Sequence, residues 1–198
     1  VWLRGGNYIF HFGVVLALFL FVRELVRDLD RRVGLHISAD SAAALVALLF
    51  AVHPLAIFTQ GYLIQRSILG ATLFALLALL FFWRGMSGSR IALAVSCIFT
   101  LLAIYAKEHA VMLPFGAIML LVLRLRSELP TGMPLRNVFV AILVQCCISI
   151  FVVFQIAGVL GSSYEPLFSE MLDLTVNISK DQIYPLSIAN QMALFFKY

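Results

Sequence analysis

Six apolar runs, separated by connectors whose charge alternates, constrain this chain more than any other feature of its sequence. The runs fall at about 8–22, 42–58, 67–83, 91–106, 110–123 and 137–160. Each is long enough, or nearly so, for a helix to cross a hydrocarbon layer of ~30 Å at about 1.5 Å per residue. The sequence therefore predicts an all-α polytopic membrane protein with about six transmembrane helices.

The basic residues are divided unevenly between the connectors. Alternate connectors hold nine of the fourteen, namely Arg23, Arg27, Arg31, Arg32, Arg84, Arg90, Arg124, Arg126 and Arg136. The remaining connectors hold Arg4, Arg66, Lys107 and Lys180, and Lys197 lies near the far end. The positive-inside rule places the arginine-rich connectors in the cytoplasm and residues 53, 107 and 161–190 outside.

Composition also limits the classes of partner. The membrane-anchoring arginines account for the net charge of +4, and no basic run in the sequence is interleaved with aromatic residues. We therefore predict membrane lipids, and not nucleic acid, as partners. We expect one transmembrane domain over residues 1–198, with an external loop at about 161–190. The chain opens at Val1 and ends in what resembles the first turns of another helix, so we expect it to be a piece of a longer protein.

Several local features are predicted from turn and helix-end chemistry. Pro54 disfavours helix at His53, so we predict a break near the outer leaflet, with 55–64 along the membrane surface. Ser38, Asp40 and Ser41 are alternative caps for the second helix. We also expect Gly5 and Gly6 to precede the first helix, Trp83 to be an interfacial anchor, and the charges at about 23–40 to form ion pairs within one helix.

The sparse polar residues of the other face are the candidate site. Three groups converge there: Asn7 with His11, the segment from His53 to Arg66, and Lys107-Glu108-His109. Ionisable groups at membrane depth indicate function by default, although a lysine or arginine near a helix end also snorkels to the headgroups at little cost. His11 is alternatively a buried, hydrogen-bonded histidine.

Residue spacing indicates what this face binds. Tyr62, Gln65 and Arg66 lie at i, i+3 and i+4, so a helix presents them on one face. The guanidinium of Arg66 matches a phosphate or carboxylate bidentately, and Lys107 offers a point charge to the same anion. Glu108, between two potential cations, is expected to stay ionised. No metal-ligand motif is present in the sequence, and the requirement for a divalent metal stays open.

Three of these segments resemble one family. The stretch from His53-Pro54 through Tyr62, Gln65 and Arg66 into the apolar run ending at Leu80 is similar to the HP…YIxQR…LAxLFxLLAL signature of GT-C-type multi-spanning glycosyltransferases. The nearest group is the bacterial relatives of the transmembrane and tetratricopeptide-repeat O-mannosyltransferases. Asn7 with His11 resembles the family's N-x-x-x-H, and Lys107 to Pro114 resembles its KExAxxLP. The likeness covers roughly residues 2–115.

The resemblance implies a function and a location. It implies a GT-C-like scaffold in a bacterial inner membrane, a polyprenyl-phosphate sugar as donor, and an external protein or glycan as acceptor. It implies that Arg66, Lys107, His53 and His109 bind the donor phosphate, with Asn7, His11, Tyr62, Gln65 and Glu108 in support. The catalytic aspartate is expected upstream of Val1. Two departures are Phe58, where the family carries an acidic residue or glutamine, and the lack of tetratricopeptide repeats.

The rival hypothesis is non-enzymatic. In it the chain is a transporter or a scaffold subunit with membrane partner subunits, and its outer charges contact lipid. If the chain is a transporter, we expect paired broken helices in two related halves. The sequence offers one proline-interrupted site, at His53, and no matching half.

Overall fold

The computed structural model describes residues 2–34, 38–54, 66–126 and 134–160, and within these ranges the chain is helical, without strands. The helices are α1 (Trp2–Val33), α2 (Ala39–Val52), α3 (Arg66–Gly85), α4 (Arg90–Ala106), α5 (Leu113–Arg126) and α6 (Leu135–Leu160). A 3₁₀ segment, Glu108–Met112, leads into α5. The all-α prediction is confirmed, and each helix lies on one predicted apolar run.

Four stretches of these helices are long and apolar enough to cross a membrane. They are Gly5–Arg31, Arg66–Gly85, Glu108–Arg126 and Leu135–Gln155. The helices α2 and α4 are also apolar but have 14 and 17 residues, which is short for a perpendicular crossing of ~30 Å. The helical membrane class is thus supported, and the number of crossings stays a prediction.

Successive helices run in opposite directions, as the first three demonstrate. Contacts between α1 and α3 are, in order, Asn7–Arg66, Gly13–Leu73 and Glu24–Arg84. These two helices are therefore parallel. The helix between them in sequence is antiparallel to both, because Asp40 at its start pairs with Arg23 whereas Phe50 near its end stacks on His11.

The last three helices continue the alternation. Helix α4 is antiparallel to α3, because Gly85 meets Leu93 at one end and Gly70 approaches Ala106 at the other. Helix α5 follows α3 in direction, and Arg124 near its end reaches Trp83. Near the start of α6, Val138 packs into the core cluster that contains Trp83 and Leu93. One end of the bundle, here called the arginine-rich end, thus carries the end of α1 and the α3–α4 turn, with the end of α5 and the start of α6.

Small residues make up a large share of the interior, beside large core side chains such as Phe82 and Met86, and many large apolar side chains are exposed. Fully or nearly fully buried alanines are Ala17, Ala43, Ala47, Ala78, Ala103, Ala117 and Ala141. Exposed side chains include Phe12, Ile91, Phe115, Met119 and Phe154. A Cβ on Gly85 would lie 2.5 Å from the Leu93 side chain, so this glycine permits a close helix contact. Small residues between helices and apolar ones outside are typical of helices packed in lipid.

A short polar seam joins α4 to α6 within this apolar interior. Gln145 Nε2 donates to Ser96 Oγ at 3.2 Å, and Ser96 Oγ donates to the Leu93 carbonyl at 2.7 Å. Thr100 Oγ1 donates to the Ser96 carbonyl at 2.9 Å. The Gln145 bond crosses from α6 to α4, as does the one from Cys97 Sγ to the Ala141 carbonyl at 3.7 Å. Since unpaired polar groups are costly in hydrocarbon, these two bonds favour one register of α6 against α4.

The arginine-rich end overturns two predictions. Trp83 is not an interfacial anchor, because it is 3% exposed and lies under the Arg124 guanidinium, 5.0 Å from the ring centre. Among the described side chains, the ion pairs of Arg23 and Glu24 run between helices, to Asp40 and Arg84, and not along α1 as predicted. In both cases a partner from a distant part of the sequence covers the group.

Helix ends follow the local chemistry, with one exception. The Ser38 side chain accepts from the Ser41 N–H at 3.4 Å, which selects Ser38 among the three predicted caps. His53 has an extended backbone, so α2 ends at the predicted break before Pro54. The α3–α4 turn requires the positive φ of Gly88, +114°. The exception is α1, which begins at Trp2 and so includes Gly5 and Gly6, contrary to prediction.

The chain divides into two compact units. The first extends to Phe154, and the second begins at Gln155. Of the second unit, the structure describes 155–160, the end of α6. The predicted surface segment 55–64 and the predicted external loop 161–190 lie outside the described residues.

Candidate functional site

The predicted site residues that the structure describes occupy the bundle end opposite the arginine-rich end. The start of α1 carries Asn7 and His11, and the end of α2 carries His53. The start of α3 carries Arg66, and the end of α4 leads directly into Lys107-Glu108-His109. Because successive helices alternate in direction, four separate parts of the sequence meet at this end.

Two residues of α1, Gly6 and Asn7, contact the Arg66 side chain and are here called the cradle. Its Nε donates to Asn7 Oδ1 at 3.1 Å, and the Asn7 side chain is fully buried. A Cβ on Gly6 would lie 3.3 Å from Nη2 and 3.4 Å from Cζ of Arg66. The guanidinium therefore rests against the bare backbone of Gly6 with its orientation set by Asn7.

Lys107, Glu108 and His109 form a second, contiguous group. Lys107 has an extended backbone that ends α4 and starts the 3₁₀ segment. Its Nζ lies 3.0 Å from Glu108 Oε1, and His109 Nδ1 lies 3.6 Å from the same oxygen. Glu108 thus sits between two potential cations, the environment in which its ionised form was predicted.

The contact between α3 and α4 brings the two groups close. A Cβ on Gly70 would lie 3.9 Å from Ala106 Cβ. Gly70 is one turn from Arg66, and Ala106 precedes Lys107. Standard chain dimensions then keep the Cα atoms of Arg66 and Lys107 within roughly 17 Å of each other. Two long side chains across that distance are within reach of one bound molecule.

The two histidines of α1 and α2 differ in their surroundings. His11 stacks on Phe50 with the ring centres 5.9 Å apart, and its Nδ1 is buried without a hydrogen-bond partner among the described residues. At Nδ1, His11 therefore lacks, among the described residues, the hydrogen bond that the alternative interpretation, a buried and hydrogen-bonded histidine, predicts. His53 is exposed at the end of α2, and its backbone N–H donates to the Phe50 carbonyl.

Two predicted site residues, Tyr62 and Gln65, lie outside the described residues. Within the described ranges, no three histidine, cysteine or acidic side chains cluster as metal ligands. The residue that sequence analysis missed is Gly6. The Gly5-Gly6 pair was visible, but nothing in the sequence indicates that Gly6 alone lies under Arg66, which is sixty residues away.

This arrangement is suited to binding an anion. An arginine presents a planar fork of N–H donors that matches phosphate or carboxylate oxygens, and its orientation here is fixed by a buried amide. The Lys107 ammonium on the neighbouring helix end, which here pairs with Glu108, adds a second cation. Comparison of the chain with protein-family models, with curated proteins and with solved structures finds no match.

Proposed function

We propose that this chain is the central membrane part of a GT-C-type glycosyltransferase that transfers a sugar from a polyprenyl-phosphate donor to an external protein or glycan. One observation carries the proposal: Arg66 is oriented by Asn7 at the bundle end that also holds Lys107, Glu108 and His109. These residues belong to the three segments that resemble the family, and they are far apart in sequence.

The residues have distinct roles in this reaction. The acceptor hydroxyl oxygen bonds to the anomeric carbon of the sugar, and the bond from that carbon to the donor phosphate oxygen breaks, leaving its electron pair on the phosphate. The phosphate thereby changes from a diester with one negative charge to a monoester with a second. Arg66 and Lys107 stabilise that added charge, with His53 or His109 assisting, and fixed cations at a developing charge are an effective means of lowering a barrier.

The acceptor proton requires a general base. The resemblance assigns that task to an aspartate upstream of Val1, so the reaction is to be tested in the full-length protein. Asn7 acts as a positioning residue, because its side chain is fully buried and accepts a hydrogen bond from Arg66 Nε. Gly6 shares that task by leaving room for the guanidinium.

Substitution of Arg66 tests the proposal. Arg66→Lys keeps the charge but loses the planar fork, so we expect slower transfer from a radiolabelled polyprenyl-phosphate sugar to acceptor. We expect Arg66→Ala to lower kcat/KM more, by roughly ten- to a hundredfold, since a charge-assisted contact to phosphate is lost. Arg126→Ala is the matched control, because Arg126 is an exposed arginine at the arginine-rich end.

The outcomes distinguish the enzyme from its rival. Wild-type transfer by Arg66→Ala at matched expression would show that Arg66 only snorkels to the headgroups, and the proposal would lose its principal residue. Binding of polyprenyl phosphate by the full-length protein without transfer, together with movement of that lipid across vesicle membranes, would favour a transporter.

A further inference from the structure

An apolar groove lies between α4 and α6, away from the Arg66 end. Its volume is about 420 Å³, and the side chains of Leu93, Ala94, Ile98, Val140 and Val144 contribute to its walls. Two polar residues also line it, Arg90 and Asn137. Arg90 is the first residue of α4 and Asn137 lies in the first turn of α6, so both belong to the arginine-rich end.

The depth of the groove matches one leaflet of a bilayer. Eight residues separate Arg90 from Ile98 on α4, which corresponds to about 12 Å along the helix. One leaflet contributes about half of a ~30 Å hydrocarbon layer. The groove thus extends from the level of the headgroups, at Arg90, through most of the acyl-chain region of that leaflet.

Charge is concentrated at one end of this apolar groove. Arg90 is exposed, and no carboxylate among the described side chains forms an ion pair with it. Arg136, also exposed, precedes Asn137 in the sequence. The start of α4 adds the partial positive charge of a helix N-terminus. A molecule complementary to this surface has a phosphate at one end and a hydrocarbon chain.

We propose that the groove binds an anionic glycerophospholipid of the arginine-rich leaflet, with one acyl chain between α4 and α6 and the phosphate against Arg90 and Asn137. The guanidinium donates to two phosphate oxygens, and the Asn137 amide donates to a third. The lipid joins two helices whose direct polar contacts, among the described residues, are the bond from Gln145 to Ser96 and the weaker one from Cys97 Sγ to the Ala141 carbonyl. This site is independent of the proposed glycosyltransferase function.

Lipid retention by the purified full-length protein tests the site. The protein is placed in mixed phosphatidylglycerol and phosphatidylcholine, and the lipids that remain bound are identified by native mass spectrometry. We expect one phosphatidylglycerol per chain to be retained preferentially, and to raise the melting temperature more than phosphatidylcholine does. Arg90→Gln should weaken that binding roughly tenfold, since it removes a charge-assisted contact.

Two further variants separate a specific site from general attraction. Ala94→Phe fills the groove without changing charge and should also abolish retention of phosphatidylglycerol, while Arg126→Gln removes an exposed arginine of the same end that does not line the groove. If Arg126→Gln and Arg90→Gln lost phosphatidylglycerol binding equally, the lipid would be attracted by the general surface charge, and the proposed site would be wrong. Wild-type retention in both Arg90→Gln and Ala94→Phe would overturn it outright. Displacement of the lipid by polyprenyl phosphate, or cross-linking of two chains through Ala94→Cys, would assign the groove to another occupant.

Discussion

Gly6 illustrates how a single residue controls the candidate site. A Cβ on Gly6 would lie in tight contact with the Arg66 guanidinium, 3.3 Å from Nη2, whereas a Cβ on Gly5 would meet nothing within 4 Å among the described residues. The larger valine side chain of Gly6→Val should push Arg66 away and remove the hydrogen bond from Arg66 Nε to the buried Asn7 Oδ1. We expect Gly6→Val to be less stable than Gly5→Val by about 1.5–3 kcal/mol, the contribution of a hydrogen bond with one charged partner. Thermal unfolding of both variants in one detergent measures this difference.

The Gly5 variant is a matched control because both glycines lie in α1 and gain the same side chain. Their helix-propensity changes therefore cancel, and among the described residues the contact with Arg66 is what differs between the two positions. Equal melting temperatures would mean that Arg66 moves aside freely and that its orientation is not held by the cradle. If the proposed function holds, Gly6→Val should also slow sugar transfer whereas Gly5→Val should not.

At the scale of helices, Arg124 connects α5 to α1 and α3. It is 3% exposed, and its Nη1 and Nη2 donate at 2.9 Å to the Trp83 carbonyl and to Ser87 Oγ. Nη2 also lies 3.8 Å from Asp28 Oδ2. Arg124→Leu should therefore lower the free energy of unfolding by roughly 1.5–3 kcal/mol, because charge-assisted hydrogen bonds in a buried setting are lost.

The neighbouring arginine provides the comparison for this prediction. Arg126 is exposed in the same helical turn of α5, so Arg126→Leu should change stability by less than about 0.5 kcal/mol. Chemical denaturation in a single detergent measures both variants. If both variants lost the same free energy of unfolding, stability would depend on charge at the arginine-rich end and not on the contacts of Arg124.

Helices were predicted well and the contacts between them were not, for a physical reason. Local features of the sequence predicted the helices. The apolar runs predicted all six helices, Pro54 predicted the end of α2, and Ser38 was among the residues predicted to cap its start. Whether Trp83 faces lipid or protein depends on Arg124, which is 41 residues away. The site follows the same rule: the sequence placed Asn7 and Arg66 on one face of the membrane, but their hydrogen bond spans 59 residues. Local chemistry determines where a helix ends, whereas contacts between residues far apart in sequence are determined by the packing of the helices.

At the scale of the whole molecule, alternating helix directions separate two kinds of charge. Arg23, Arg84 and Arg124 lie at one end, whereas Arg66 and Lys107 lie at the other. The positive-inside rule then predicts that the arginine-rich end is cytoplasmic and that the candidate site faces outward, where an external acceptor would be reached. The three cysteines Cys97, Cys146 and Cys147 are free, so a cysteine-less background is needed for labelling.

Two exposed serines in first turns of helices then report the orientation. Ser41 opens α2 at the arginine-rich end, and Ser67 opens α3 beside Arg66. In intact cells, a membrane-impermeant maleimide should label Ser67→Cys and not Ser41→Cys, while permeabilised cells should show both. Labelling of Ser41→Cys alone in intact cells would invert the topology and place Arg66 and Lys107 in the cytoplasm. The lipid groove between α4 and α6 would survive that result in the opposite leaflet, but transfer to an external acceptor would not.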